Sequence, residues 1–212
     1  MNSEIPKQFM LLKGLPVLMH TIHVFRSYDP GLRMIVVLPV HFVDEWKALC
    51  IKHSFRETHE IRTGGVNRFE SVKRGLKGLP DESLVAVHDG VRPLVSIKTI
   101  ERCFEVASRM GNAVPCTFIP ETLRKIKNNG NQWVDREQYR LIQTPQVFQT
   151  ALLKDAYKIT YHKGITDDAG AVESLGHPIH LVDGNPENIK ITCPHDLIIA
   201  GALMDSGSGT LP

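Results

Sequence analysis

Apolar positions along the chain recur at two spacings. Behind Pro16, residues Val17, Leu18, Ile22 and Phe25 fall on one face at helical spacing, so a helix opens at that proline. The run Met34-Ile35-Val36-Val37-Leu38 is short and rich in β-branched residues, the pattern of a strand buried on both faces. The same reading gives a helix over 43–51, a short strand over 59–62, a helix over 66–79 behind the Gly64-Gly65 turn, and a strand over 84–87. A helix over 97–110 and a strand over 113–118 follow. Alternation of this kind predicts an α/β fold, a mostly parallel twisted sheet with right-handed crossovers and helices on both faces.

One segment breaks the alternation. Residues 122–127 and 132–137 flank Asn128-Asn129-Gly130-Asn131, a hairpin signal because Asn and Gly tolerate positive φ. A lone hairpin is not stable in water, so this one is expected to pack on another subunit or on the main sheet. Beyond it the pattern gives a short strand at Leu141-Ile142, helices over 150–158 and 167–175, strands over 179–182 and 189–192, and a last helix over 194–204. Residues 1–212 read as a single domain, with 117–138 as an inserted arm and 206–212 as a flexible tail.

Composition removes several function classes. Twenty-five Lys plus Arg nearly balance 23 Asp plus Glu, so no bulk basic field argues for nucleic acid. The longest strongly apolar run, near 34–40, is far short of the roughly 20 residues a membrane-spanning helix needs. The start, Met1-Asn2-Ser3-Glu4-Ile5-Pro6-Lys7, lacks the apolar core of a secretory signal. Cys50, Cys103, Cys116 and Cys193 are scattered, without a CxxC pair, and read as small core residues of a reducing compartment. The expectation is a cytoplasmic protein.

Candidate chemistry gathers at expected strand ends. The strand over 84–87 runs into His88-Asp89-Gly90-Val91-Arg92-Pro93, and in open α/β sheets ligands sit beyond the carboxyl ends of strands. Asp89 and Arg92 can hold a metal-bound phosphate or a sugar hydroxyl there, or they can form a plain surface ion pair. Gly64-Gly65 precedes a helix whose first turns carry Arg68 and Ser71, a place where backbone can approach an anion, or an ordinary helix start. Lys190 stands between Ile189 and Ile191, either on a solvated edge or facing a phosphate. Thr166-Asp167-Asp168 reads first as a helix cap and only weakly as a metal site. No GxSxG elbow and no metal-ligand spacing around the histidines argues for hydrolase or zinc chemistry. Several cations with few acids suit a polyanionic small substrate, and phosphoryl or nucleotidyl transfer needs mainly positioning and charge neutralisation.

Taken together, Pro6-Lys7-Gln8, Gly64-Gly65 with Arg68 and Ser71-Val72, Val87-His88-Asp89 with Arg92-Pro93, Val134-Asp135-Arg136, Thr144-Pro145-Gln146, Thr166-Asp167 and Asn188-Ile189-Lys190 stand in a recognisable order. The chain resembles the 2-C-methyl-D-erythritol 4-phosphate cytidylyltransferase family of the non-mevalonate isoprenoid pathway, over nearly its whole length. The sister family of ribitol-5-phosphate cytidylyltransferases has similar motifs and is the alternative, with a non-catalytic relative as a third reading. The resemblance implies a Rossmann-like fold and transfer of CMP from CTP to a polyol phosphate, with Mg²⁺ held mainly by the CTP phosphates and pyrophosphate released. It implies that Lys7 and Lys190 neutralise the α-phosphate in the transition state, and that Gly64, Gly65 and Ser71 read cytosine. Asp89 would hold the ribose or the polyol, with Arg92, Thr144 and Thr166 near the polyol phosphate. Family members are homodimers whose hairpin arm reaches the neighbour, so Arg136 and Thr122 would serve the partner's site.

Family members also open with a buried strand and a glycine-rich loop carrying an arginine, just before the Pro-Lys-Gln motif. Neither is in this chain. The expectation is a truncated sequence, weakly active or inactive as written, whose sheet neighbours are left without ladder partners and whose core is open.

Overall fold

The computed structural model describes residues 6–206. A 3-10 turn, Lys7–Phe9, leads into the two-residue strands β1 (Leu11–Leu12) and β2 (Leu15–Pro16). Then come α1 (Val17–Tyr28), β3 (Ile35–Leu38), α2 (Val43–Lys52), β4 (Glu60–Thr63), α3 (Arg68–Gly75), β5 (Leu84–Val87), α4 (Ile97–Met110) and β6 (Asn112–Thr117). The hairpin strands are β7 (Arg124–Lys127) and β8 (Gly130–Trp133), followed by β9 (Leu141–Ile142), β10 (Gln146–Gln149), α5 (Thr150–Ala156), α6 (Asp168–Glu173), β11 (Leu181–Asp183) and α7 (Pro194–Asp205).

The expected α/β architecture is present, with a mixed sheet. Its strand order is β11-β6-β10-β5, with β9 also on β6. β11 runs parallel to β6, but β10 lies antiparallel to both β5 and β6, and β9 is antiparallel to β6. Helices cover both sides because successive residues of a strand point to opposite faces. Ala113 and Val147 pack with Cys103 and Ala107 of α4, whereas their neighbours Val114 and Phe148 pack with Phe69 of α3, Leu153 of α5 and Val172 of α6. Helix α4 has the predicted bounds because both ends are closed. The Ser96 hydroxyl accepts from the Thr99 amide at 3.1 Å, and Gly111 takes a left-handed φ of 89°.

β3 and β4 form a separate parallel pair. Among the described residues β3 has no other ladder partner, and β5 pairs only with β10. A cavity of about 700 Å³ is lined by residues 35–38 of β3 and 84–87 of β5 together with side chains of α1 and α3. It reaches Asp89 at the end of β5.

Several expectations are corrected. Residues 189–192 are not a strand: the Ile189 amide turns back to Glu187 O at 2.7 Å, the Ile191 amide reaches Val91 O at 2.9 Å, and the Asp196 carboxylate captures the amides of Thr192 and Cys193 at 2.7 and 2.9 Å to start α7. Gln146–Gln149, to which the sequence pattern assigns no element, is the mid-sheet strand β10. The helix expected over 66–79 is confined to α3, since the Asn67 side chain caps it by accepting from the Glu70 amide at 2.8 Å. The hairpin turn is Asn128-Asn129 alone, because Lys127 pairs with Gly130. The strand expected over 179–182 begins later, at Leu181. The tail residues 207–212 lie outside the described part.

Candidate functional site

The site is assembled where β5 ends. Asp89 and Arg92 form a turn closed by the Arg92 amide on Asp89 O at 3.0 Å. Their side chains meet at 3.3 Å, and Lys190 Nζ lies 3.1 Å from the same Asp89 oxygen. This is not a surface pair: the Asp89 and Arg92 side chains are only 16% and 13% exposed. Burial alone would raise the Asp89 pKa, but Lys190 first, then Arg68 and Arg92, outweigh it and hold the carboxyl below its ordinary value. Asp89 is therefore ionised at neutral pH and acts as an acceptor, not as a proton donor.

Three distant segments are tied together around that carboxylate. Arg92 Nη1 donates to Asn188 O at 2.7 Å, and Ile191 N to Val91 O at 2.9 Å, which docks the segment carrying Lys190 against the turn. The fully buried Asn188 donates from Nδ2 to Thr144 O at 2.8 Å. Thr144, joined to Pro145 by a cis peptide, receives the Asp89 amide on its hydroxyl oxygen at 3.1 Å. The hydroxyl also lies 3.0 Å from His88 Nδ1, while His88 Nε2 lies 3.0 Å from Arg92 O. Burial, only partly offset by the Arg92 carbonyl contact and the Asp89 charge, pushes the His88 pKa down to about 4, so this ring is neutral at physiological pH.

A second group forms at the start of α3. Gly64 donates its amide to Leu38 O at 2.7 Å, and Gly65 donates to Ser71 Oγ at 3.0 Å. Ser71 in turn donates to Asn67 O at 2.8 Å. A Cβ on Gly65 would stand 2.3 Å from Glu70 Cβ, so only glycine permits this close turn. The two glycine amides are thus used internally and Gly64 O accepts from Arg74 Nη1 at 2.7 Å, so the Gly65 carbonyl is what the turn offers an exocyclic amine. Ser71, Arg68, His88 and Asp89 line the large cavity together.

Arg68 is anchored from behind. Its Nη2 lies 2.5 Å from Asp168 Oδ2, and the Tyr157 hydroxyl donates to Asp168 Oδ1 at 2.5 Å. Asp168 has no solvent exposure. Burial works against the Arg68 charge, yet Asp168 more than compensates and raises its pKa. Burial and the Asp168 charge both raise the pKa of Tyr157, which stays protonated and donating. Asp167 caps α6 at the Gly170 amide, 2.9 Å, and accepts from Gln146 Nε2 at 2.8 Å. The cap reading of Thr166-Asp167-Asp168 holds, and among the described residues no three His, Cys, Asp or Glu side chains are grouped to hold a metal ion.

The remaining sequence candidates are more dispersed. Lys7 opens the 3-10 turn whose Phe9 stacks on Trp46 and whose Gln8 lines the large cavity. Thr166 lines a smaller cavity of about 240 Å³ with Arg68, Tyr157 and Lys163. Thr122 and Arg136 lie on the hairpin arm, where the Arg136 guanidinium donates to Pro120 O. Within one chain they are not brought to Asp89. Sequence reasoning gave no role to His88, Asn188, Tyr157 or Gln146. His88, Asn188 and Gln146 stand inside quoted motifs, and for His88 a polar residue at the end of an apolar run was the available signal; Tyr157 carried none.

A profile of the 2-C-methyl-D-erythritol 4-phosphate cytidylyltransferase family matches residues 1–206. The chain is 48% identical over 204 residues to the protein of that name from Bacteroides thetaiotaomicron, covering 96% of this chain and 93% of the relative. It is 45% identical over 207 residues to the namesake from Porphyromonas gingivalis, covering 97% and 92%. The crystal structure of 2-C-methyl-D-erythritol 4-phosphate cytidylyltransferase from Thermus thermophilus superposes with a TM-score of 0.76 at 34% identity, covering 94% of each chain. That of the Francisella tularensis enzyme gives 0.79 at 27% identity, covering 94% and 93%.

Proposed function

The chain belongs to the 2-C-methyl-D-erythritol 4-phosphate cytidylyltransferase family, and from that premise we propose how its residues divide the work of a cytidylyltransferase in isoprenoid biosynthesis. A phosphate oxygen of methylerythritol phosphate attacks the α-phosphorus of CTP. The bond from that phosphorus to the bridging β-phosphate oxygen breaks, and pyrophosphate leaves with the electron pair. The nucleophile is already ionised at neutral pH, so no general base is needed. Charge neutralisation and alignment carry the rate.

The observation that carries this reading is the buried Asp89 carboxylate ringed by Lys190, Arg92 and Arg68. Three cations against two acids, Asp89 and the Asp168 behind Arg68, leave one surplus positive charge, suited to a polyanion. In our reading Lys190, half-exposed and only ion-paired, turns from Asp89 to the α-phosphate, with Lys7 beside it. Asp89 accepts from ribose or polyol hydroxyls, Arg92 faces the polyol phosphate from its place on the Asp89 turn, and Thr166 takes part from the neighbouring cavity. The Gly64-Gly65 turn and Ser71 place acceptors for the cytosine amine. Mg²⁺ fits only as a guest of the substrate phosphates, because Asp89 is the carboxylate of the cavity and no cage of acids surrounds it among the described residues; this hard cation binds through one or two carboxylates plus phosphate oxygens. When bound, it would neutralise phosphate charge.

The arm supplies the homodimer reading. Ile126 and Trp133 on it are 78% and 59% exposed, and Phe118, Leu141 and Ile142 at its base are also open. Apolar surface of this kind is suited to a second copy, into whose site Arg136 and Thr122 would reach. Sedimentation analysis should give a dimer, and a monomer at micromolar concentration would refute this part. Four free cysteines are in keeping with a reducing, cytoplasmic setting. Among the described residues no helix is long and apolar enough to cross a membrane. Pyrophosphate release with CTP and methylerythritol phosphate, against ribitol 5-phosphate, tests the substrate choice. Preference for ribitol phosphate would overturn it.

A further inference from the structure

We propose that His88 is a positioning residue for the transfer reaction: its neutral ring, protonated on Nε2, takes the hydroxyl proton of Thr144 and closes a ring of hydrogen bonds that fixes the Asp89–Arg92 turn. With the ring neutral, the donors and acceptors allow one arrangement. Arg92 O is a carbonyl and only accepts, so His88 Nε2, 3.0 Å away, carries the proton. A neutral imidazole then presents a lone pair at Nδ1, and Thr144 Oγ1, 3.0 Å away, donates to it. The same oxygen receives the Asp89 amide at 3.1 Å. The circuit is closed by the Arg92 amide on Asp89 O at 3.0 Å. The ring runs from the Asp89 amide through Thr144 and His88 to Arg92 and back, so both charged residues sit on a backbone held from two sides. Chains of this kind polarise one another and rigidify. Phe25 packs edge-on against the imidazole, with centroids 4.9 Å apart, and limits its rotation.

Two consequences follow. Thr144 has one hydroxyl proton and gives it to His88, so it has none for a substrate phosphate. It acts through Asp89, not through the polyol phosphate near which the family resemblance places it. The imidazole, on the lining of the large cavity, moves no proton in the reaction; its protonation state sets the direction of the Thr144–His88 bond, since the Asp89 and Arg92 amides donate and the Arg92 carbonyl accepts in either state.

The functional half of this inference rests on the cytidylyltransferase reading, so its test has an arm that needs no turnover. Long-range ¹H–¹⁵N spectra of the whole protein, with the His88 signals identified by their loss in His88→Gln, should show the Nε2–H tautomer at pH 7. An Nδ1–H tautomer or an imidazolium overturns the proposal whatever the enzyme's substrate. For the second arm, Thr144→Val and His88→Gln each remove one link and are expected to lower kcat/KM about tenfold or more, carried by kcat and the polyol phosphate KM, with the CTP KM shifted less than about twofold. His88→Asn offers an acceptor at the Nδ1 position and Thr144→Ser keeps the hydroxyl, so each should exceed its partner variant severalfold. The double variant His88→Gln/Thr144→Val should lose no more than the worse single variant, because one ring is broken once. Additive losses in variants that melt like the wild type, or no advantage of Thr144→Ser over Thr144→Val, would overturn it.

Discussion

Asp168→Asn isolates the anchor behind Arg68. The carboxylate is fully buried and accepts two charge-assisted hydrogen bonds, from Arg68 and from Tyr157, each at 2.5 Å. Asparagine keeps the volume but not the charge. It can turn its oxygen to Arg68 and its amine to the Tyr157 oxygen, so the Tyr157 contact survives as a neutral one and the Arg68 contact keeps only the guanidinium's charge. A hydrogen bond to a charged group contributes about 1.5–3 kcal/mol against about 1 for a neutral one, which puts the loss over two bonds at about 1–4 kcal/mol. Breaking a fully buried ion pair costs about 3–5 kcal/mol, but Arg68 is 38% exposed and recovers hydration, which rules out the upper end. The expected destabilisation is therefore about 2–3 kcal/mol. Urea unfolding followed by fluorescence reads it directly, since Trp46 is fully buried. The midpoint should fall with an unchanged slope, and Tm should drop by about 5–10 °C. A loss below about 0.5 kcal/mol would show that this pair contributes no more than a surface pair, and would refute the anchoring argument.

Other outcomes follow from the same geometry. Lys190→Ala removes the nearest cation from Asp89, so kcat/KM should fall by about a hundredfold and the Asp89 pKa should rise; pyrophosphate release as a function of pH reads both, and a loss under about threefold would contradict the assignment. Gly65→Ala forces a Cβ against Glu70 and should raise the CTP KM with little change in the polyol phosphate KM; equal effects on both would argue against a nucleobase role for that turn. His88 binds its proton near pH 4 when folded and near 6.5 when unfolded, so the unfolded chain holds the extra proton in that window and stability falls as pH drops through it, by at most about 3 kcal/mol for this group. Burial also lowers the His20 pKa, so the comparison is with His88→Asn, whose melting curve should depend less on pH between 6.5 and 4. Identical pH profiles for the two proteins would refute it. Glu60 and Asp196, held near pH 2, start to lose their contributions as pH falls through their ordinary values of 4.5 and 3.8, which touches only the lower end of that window and does so equally in both proteins.

What the sequence made legible was what is local. α4 could be bounded to the residue because Ser96 and Gly111 are adjacent to the ends they close. β5 and the Asp89–Arg92 turn were legible because an apolar run meets charge abruptly. β10 was not, since Gln-Val-Phe-Gln becomes a strand only through neighbours on both sides, β5 and β6, that pairing brings from far along the chain. The opposite failure at 189–192 has a similar cause, because Asp196 takes the amides that a ladder would need. Within the site, charges were easier to read than their supports. Lys190 and Arg92 announced themselves, but Asp168 read as part of a helix cap, and its burial beneath Arg68 is visible only in three dimensions. Thr144 was read for its hydroxyl, and the partner that occupies that hydroxyl lies 56 residues away.

The central claim is attack by the polyol phosphate on the α-phosphorus of CTP at the end of the cavity that Asp89 lines, beside its ion partners Arg92 and Lys190. Methylerythritol phosphate labelled with ¹⁸O in its phosphate, incubated with CTP and Mg²⁺ and followed by ³¹P NMR, tests it directly. The account predicts that all label is found in the CDP-polyol product and none in pyrophosphate, with the reaction abolished by Asp89→Asn combined with Lys190→Ala. Label in pyrophosphate, or product formation undiminished in the double variant, would contradict it.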